Sequence, residues 1–345
     1  MNEDILQGLN PAQREAVTNF EGPSLIIAGA GSGKTRVLTT RIAWMLAHGV
    51  EPQSILALTF TNKAAREMRE RIEKLVGPRA RFIRMGTFHS VFARLLRENA
   101  ERIGFPQSFT IYEPTDVKNL VKAIAMDMKL YVREMDPNSS VYKPQNVAAR
   151  ISMAKNNLIT PGAYRANAVL IDEDRKAKMP AFVDIYGEYC NRCKRNGAMD
   201  FDDLLLQTNI LLRDAPDVLA DYQEKFRYIL VDEYQDTNMA QYIIVRRLAL
   251  KHSNVCVVGD DAQSIYAFRG AKIENILSFQ RDYPTTKVYK LEQNYRSTQT
   301  IVDAANSLIK HNSRRLEKKC FSAADHGEKI RSAGALAGHH EPLGV

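Results

Sequence analysis

Near the N-terminus, Ala28-Gly29-Ala30-Gly31-Ser32-Gly33-Lys34-Thr35 has the residue types and spacing to hold a chain of phosphates. It follows the apolar run Ser24–Ala28 and opens a helical pattern. Backbone N–H groups of a glycine-rich turn surround phosphate oxygens, and the dipole of the following helix favours their charge. In such a P-loop Lys34 reaches the terminal phosphates and the Thr35 hydroxyl ligates Mg²⁺. The strict pattern begins with Gly; here Ala28 stands there, while Gly29 and Gly31 keep the turn permissive. The same chemistry needs a second carboxylate at the end of a neighbouring strand, and Val231-Asp232-Glu233 provides one. Asp232 is expected to hold the metal, and Glu233 to orient or deprotonate a water for attack on a γ-phosphate. ATP and Mg²⁺ are the cofactors these residues imply.

Two further polar residues have competing readings. Arg296 carries a guanidinium fork that matches the oxygens of a transferring phosphoryl group, and equally a surface ion pair. Asn10-Pro11-Ala12-Gln13 opens a helix, with Asn10 as N-cap, Pro11 at N1 and Gln13 at the capping-box position. Capping is the simpler role for Gln13; a free Gln amide also pairs with adenine N6 and N7.

A second chemistry is suggested by Phe60, Phe88, Tyr266 and Phe268, which sit near strand ends beside Asn62, Lys63, His89 and Arg269. Any one of these rings reads as core. Together with polar and basic neighbours they suit a surface on which unpaired bases stack, for about 1–3 kcal/mol each and independently of sequence. Between Lys63 and Arg102 the chain carries eleven Lys/Arg against five Glu, and the whole has a net charge of +8 and a pI of about 9.2. A polyanion is a plausible partner for that excess, and solvated helix faces explain it as well. A lone histidine beside a strand, His89 reads as a hydrogen-bonded residue rather than an acid or base. Asp200-Phe201-Asp202-Asp203 precedes Leu204-Leu205-Leu206, so helix capping explains its carboxylates. Cys190-Asn191-Arg192-Cys193 lacks further ligands nearby in sequence for a zinc site.

These residues need strands and helices to place them. At 345 residues the chain is long for one unit, and two or three domains are expected. Apolar runs at Ser24–Ala28, Ser54–Phe60, Tyr228–Val231, Asn254–Val258 and Thr286–Leu291 each end in a polar cluster and alternate with helical patterns. That is the signature of a parallel sheet buried on both faces, with ligands collecting at the carboxyl ends of the strands. From about Ile111 to Asn196 the pattern turns helical, with breaks at Asp136-Pro137-Asn138 and Thr160-Pro161-Gly162; it reads as an insertion interrupting the sheet domain. A mean hydropathy of −0.33, no long apolar run and an acidic N-terminus point away from a membrane or secreted protein, toward the cytoplasm.

Taken in order, seven segments resemble the superfamily-1 DNA helicases of the UvrD/Rep/PcrA type: Leu9–Ala16, Ala28–Arg36, Leu58–Ala65, Gly86–His89, Ile229–Asn238, Val258–Ala271 and Leu291–Thr298. The resemblance runs over roughly residues 5–330. It implies an α/β fold: a RecA-like P-loop NTPase parallel sheet (1–110 and 197–283), an inserted helical subdomain (111–196) and the beginning of a second RecA-like domain (284–330). It implies that Gln13 reads adenine, Arg36 lies near the nucleotide, Gln263 senses the γ-phosphate, Tyr295 stacks on adenine and Arg296 acts as an arginine finger. Phe60 and Thr87-Phe88-His89 then belong to DNA-contacting motifs. Phe268 stands where Trp is common and Ala262 where Asp is common. The implied activity is ATP-driven 3′-to-5′ movement on single-stranded DNA and unwinding at single-strand/duplex junctions, alongside DNA-repair proteins. Members of the family are much longer, and beyond about Arg331 the resemblance is expected to end in a poorly ordered tail, 331–345. A truncated chain of this kind is expected to bind ATP and DNA and to unwind poorly. The motor subunit of an ATP-dependent nuclease of the RecB/AddA kind shares these motifs, and a P-loop ATPase or kinase with a small substrate, or a non-catalytic binding module, remain as alternatives.

Overall fold

The computed structural model describes residues 2–130, 141–267, 270–312 and 315–330. Phe268, Arg269, the break at 136–138 and the tail 331–345 lie outside them.

Ten strands occur among the described residues: β1 Ser24–Ala28, β2 Ile55–Thr59, β3 Arg84–Thr87, β4 Thr110–Tyr112, β5 Ala198–Asp200, β6 Tyr228–Val231, β7 Val255–Gly259, β8 Lys287–Leu291, β9 Gln293–Asn294 and β10 Phe321–Ser322. Six form one parallel sheet in the order β3-β2-β6-β7-β1-β8. Its inner strands β1, β2 and β7 are buried at every position, as expected of strands covered on both faces. Alternate residues feed two cores. Leu25, Leu56, Ile229 and Val257 point to one, under the helices Phe88–Glu98, Phe201–Asp214 and Met239–Ala249. Ile26, Ala57, Leu230 and Val258 point to the other, under Pro11–Thr18, Lys34–Ala47 and Asn62–Val76. This is the α/β architecture expected of a RecA-like domain.

Three differences from the sequence reading matter. β3, Arg84-Met-Gly-Thr87, was not among the expected strands; it is a four-residue edge strand with a Gly and a half-exposed Arg, so it shows no apolar run. The strand carrying Asp232, β6, is not the neighbour of the P-loop strand: β7 lies between β6 and β1. And β8, which its apolar run placed among the sheet's strands and the resemblance placed at the start of a second unit, pairs with β1 along its whole length, from Ser24↔Lys287 to Ala28↔Leu291.

Between β4 and β5, which pair with each other, the described residues are mainly helical and have their own core, including Val121, Ile151, Phe182, Tyr186 and Tyr189. A buried ionic cluster joins this core to the sheet domain. Lys155, fully buried at the end of helix Pro144–Asn156, lies 2.7 Å from Asp200 and 2.8 Å from Asp203. Tyr189 donates a further hydrogen bond of 2.7 Å to Asp200. Asp200 caps helix Phe201–Asp214 and Asp203 closes the capping box, as the acidic run suggested. Burial works against the charge on Lys155, but the two carboxylates outweigh it and hold the lysine protonated. Burial, then the charge of Asp200, pushes Asp203 up to about 7.

Candidate functional site

The P-loop follows β1 at the centre of the sheet. Gly31 and Gly33 take positive φ; a side chain on Gly31 would collide with the Asn294 amide and Arg296, and one on Gly33 would press on the Gln13 amide. Glycine is needed here for both conformation and space. Helix Lys34–Ala47 has no side-chain cap at its N-terminus, so the first-turn N–H groups are left for an anion. Lys34 extends to Glu233, with Nζ 3.0 Å from Oε2. Thr35 is half-buried in the same turn.

Asp232 and Glu233 follow β6. The Asp232 carboxylate is almost wholly buried and accepts a 2.9 Å bond from the Glu233 backbone N–H. Burial, with the charge of Glu233 added, pushes its acid up to about 6. The charge of Lys34 offsets only part of that penalty. Asp232 and the Thr35 hydroxyl both carry hard oxygens of the kind Mg²⁺ prefers. Glu233 sits in the left-handed region at φ 48°, a conformation non-glycine residues seldom adopt and one concentrated at functional sites.

The end of β7 joins this group. The Gln263 amide donates 2.6 Å to the Asp260 carboxylate. On Asp260 and Asp261 also lands Lys318, 2.8 Å from Asp260, from a strap that carries β10 beside β9. The strap crosses the P-loop closely enough that a Cβ on Gly29 would meet the Cys320 sulfur at 2.3 Å.

The loop after β8 grips the other side of the P-loop. Gly29 N–H donates to Leu291 O (3.2 Å), the Asn294 amide to Ala30 O (2.6 Å), and Tyr295 N–H to Gly31 O (2.9 Å). The Asn294 side chain accepts from Arg296 N–H at 2.8 Å, which sets the start of the Arg296 side chain against Gly31. The Tyr295 hydroxyl accepts from Asn10 (2.9 Å) and donates to Gln293 (3.0 Å), leaving more than half of the residue exposed. Gln13 realises the capping box with Asn10, and its Nε2 also donates to Ser32 O at 3.0 Å, tying that cap to the P-loop. Its second amide hydrogen remains for another acceptor. Arg36 turns toward the N-terminal segment, donating 3.0 Å to Gln7 O. Thus Gln13, the P-loop from Ala28 to Arg36, Tyr295 and Arg296 share one neighbourhood; Lys34, Asp232, Glu233 and Gln263 share its far end.

Beside Glu233 opens a groove of about 930 Å³, lined by Phe60, His89, Tyr266 and Gln263 from the sheet domain and by Ser152, Met153 and Asn156 from the helical segment. Phe60 is half-buried at its wall, and Tyr266 is 40% exposed. Burial keeps His89 below its ordinary range, and its ring meets Phe201 edge-on at 5.8 Å. Asn62 is exposed at the start of its helix. Two residues expected on this surface are placed otherwise. Phe88 is 1% exposed and packs against Phe60 and Phe92 inside the core, so it supports the wall instead of offering a face to a base. Thr87 is buried as the N-cap of the helix that follows, accepting from Ser90 N–H at 3.2 Å. Sequence reasoning missed Phe201, Met153 and Asn156. Phe201 is a large ring at a helix start within an acidic run, which was the available signal; the other two offer none, because only tertiary packing turns them toward the groove.

The chain was compared with known protein families. Residues 9–284 match the UvrD/REP helicase N-terminal domain and residues 289–342 the UvrD-like helicase C-terminal domain. The second match carries the likeness past Arg331, where the sequence reading ended it. Among curated proteins, the ATP-dependent DNA helicase PcrA of Staphylococcus aureus is 49% identical over 338 residues, 98% of this chain and 44% of the relative. The protein of the same name from Staphylococcus epidermidis is 48% identical over 338 residues, covering 98% and 45%. The chain therefore spans less than half the length of the relatives it matches.

Proposed function

For this chain, which belongs to the UvrD/Rep helicase family, we propose an ATP-driven motor that moves 3′-to-5′ on single-stranded DNA. The observation that carries the reading is the position of Glu233. Its carboxylate pairs with Lys34 of the P-loop and also lines the aromatic groove. One side chain thus borders both the triphosphate's expected seat and the strand's.

In this reading the P-loop N–H groups and Lys34 hold the phosphates, and Gln13 and Tyr295 frame the base. Thr35 and Asp232 hold Mg²⁺, which supplies charge neutralisation on the phosphate oxygens when bound. Glu233 leaves Lys34 for the incoming phosphate and takes the proton of a water attacking the γ-phosphorus, as the bond to the bridging oxygen breaks. Arg296 and Gln263 stabilise the charge on the departing phosphoryl group. In the groove, Phe60 and Tyr266 offer rings to bases, and His89 and Asn62 offer polar contacts. Duplex separation at single-strand/duplex junctions, alongside DNA-repair proteins, belongs to the same proposal.

The test is ATP turnover with and without single-stranded DNA, for the parent, Lys34→Ala and Glu233→Gln. Turnover stimulated by DNA and abolished by both substitutions supports the motor. Turnover indifferent to DNA would sink it.

A further inference from the structure

Gln235, two residues beyond the proposed base, is 1% exposed, and both ends of its amide are engaged. Nε2 donates to Glu233 Oε2 at 3.0 Å and to Asp236 Oδ2 at 3.2 Å. Oε1 accepts from the Asp260 backbone N–H at 3.0 Å. The amide cannot turn over without facing its oxygen to two carboxylates and its NH₂ to an N–H donor, so its orientation is determined by its partners. It also lies against Gly259, where an added Cβ would come within 2.6 Å of Oε1; that glycine makes room for it.

We propose that Gln235 is a positioning residue for hydrolysis, holding the Glu233 carboxylate at the angle at which it meets the attacking water. The same amide locks the end of β6 to the end of β7, whose next residue, Asp260, holds the Gln263 amide. The base and the residue facing the γ-phosphate are thereby set by one side chain. Lys34 holds the same Glu233 oxygen only while no phosphate competes for the lysine; Gln235 touches no position expected of the nucleotide and can hold Glu233 throughout turnover. The inference rests on the motor reading above.

Two variants test it. Gln235→Glu keeps the shape and the acceptor for Asp260 N–H but sets a carboxylate against Glu233 and Asp236. Gln235→Met keeps the length and removes every hydrogen bond. Steady-state ATP turnover with saturating single-stranded DNA is compared with binding of a fluorescent ATP analogue, and folding is followed by circular dichroism. The expected result is a kcat lowered on the order of 10²-fold in both, as for a misplaced catalytic group, with KM and analogue affinity within about threefold of the parent. Parent-like kcat in either variant, a rise in KM that accounts for the loss, or failure of both to fold would overturn the positioning role. A parent without DNA-stimulated turnover would instead overturn the motor reading, and this inference with it.

Discussion

Replacing Lys155 by Met removes the only cation within ion-pair distance of Asp200 and Asp203 among the described residues. The side chain is fully buried and both carboxylates are nearly so. Met fills most of the volume, so the loss is electrostatic: two carboxylates stay in a low-dielectric seam with their hydrogen bonds but without a counter-charge. Breaking a buried pair in this way costs about 3–5 kcal/mol. With an unfolding entropy of about 2.1 cal/mol/K per residue, that is a fall in melting temperature of roughly 4–7 °C for a chain of this length. The sign with pH follows from burial. Protonating either acid relieves the penalty, so the deficit of Lys155→Met should be largest at pH 8 and shrink toward pH 5. Melting followed by circular dichroism across that range measures both. A variant within about 1 °C of the parent at pH 8, or a deficit that grows on acidification, would refute the account of this seam.

Other expectations concern the groove and the metal. Phe60→Ala should weaken binding of a labelled single strand by about 1–3 kcal/mol in fluorescence anisotropy, with a smaller loss of stability than a fully buried ring would cost. Phe88→Ala should do the reverse, lowering stability by about 3–5 kcal/mol as a cavity opens in the core. Because the Asp232 acid is raised to about 6, it is protonated below that pH and loses its charge for a divalent cation. Mg²⁺-dependent affinity for an ATP analogue, measured by titration calorimetry, should therefore fall as pH drops through 6, where an ordinary Asp would hold to near 4. The same shift means that ionising Asp232 opposes folding as pH rises through that window. Asp232→Asn should accordingly melt higher than the parent at pH 8 without metal, by on the order of 2–3 kcal/mol, and not at pH 4.

The nucleotide end of the site was legible because its motifs are local. A glycine-rich turn needs its glycines within a few residues of Lys34, and Asp232-Glu233 announces itself at the end of an apolar strand. Phe88 shows a reading that stopped too early. Phe88, Val91, Phe92, Leu95 and Leu96 fall on one stripe of a helix and are all buried, so the 3.6-residue period already assigned that ring to the core. Lys155 is a different case. A lysine on a helix reads as solvated, and its partners lie 45 and 48 positions away across an intervening core. The position of β8 was hidden for a similar reason: a parallel strand carries no mark of which sheet edge will accept it.

The sheet order has a consequence for synthesis. β1 is translated more than two hundred residues before either strand that flanks it, β7 or β8. Until then Leu25, Ile26 and Ile27 have neither side covered by a finished ladder, and the nascent chain must shelter an apolar, unpaired edge over that whole span. The seat for the phosphates is made long before the strands that close it.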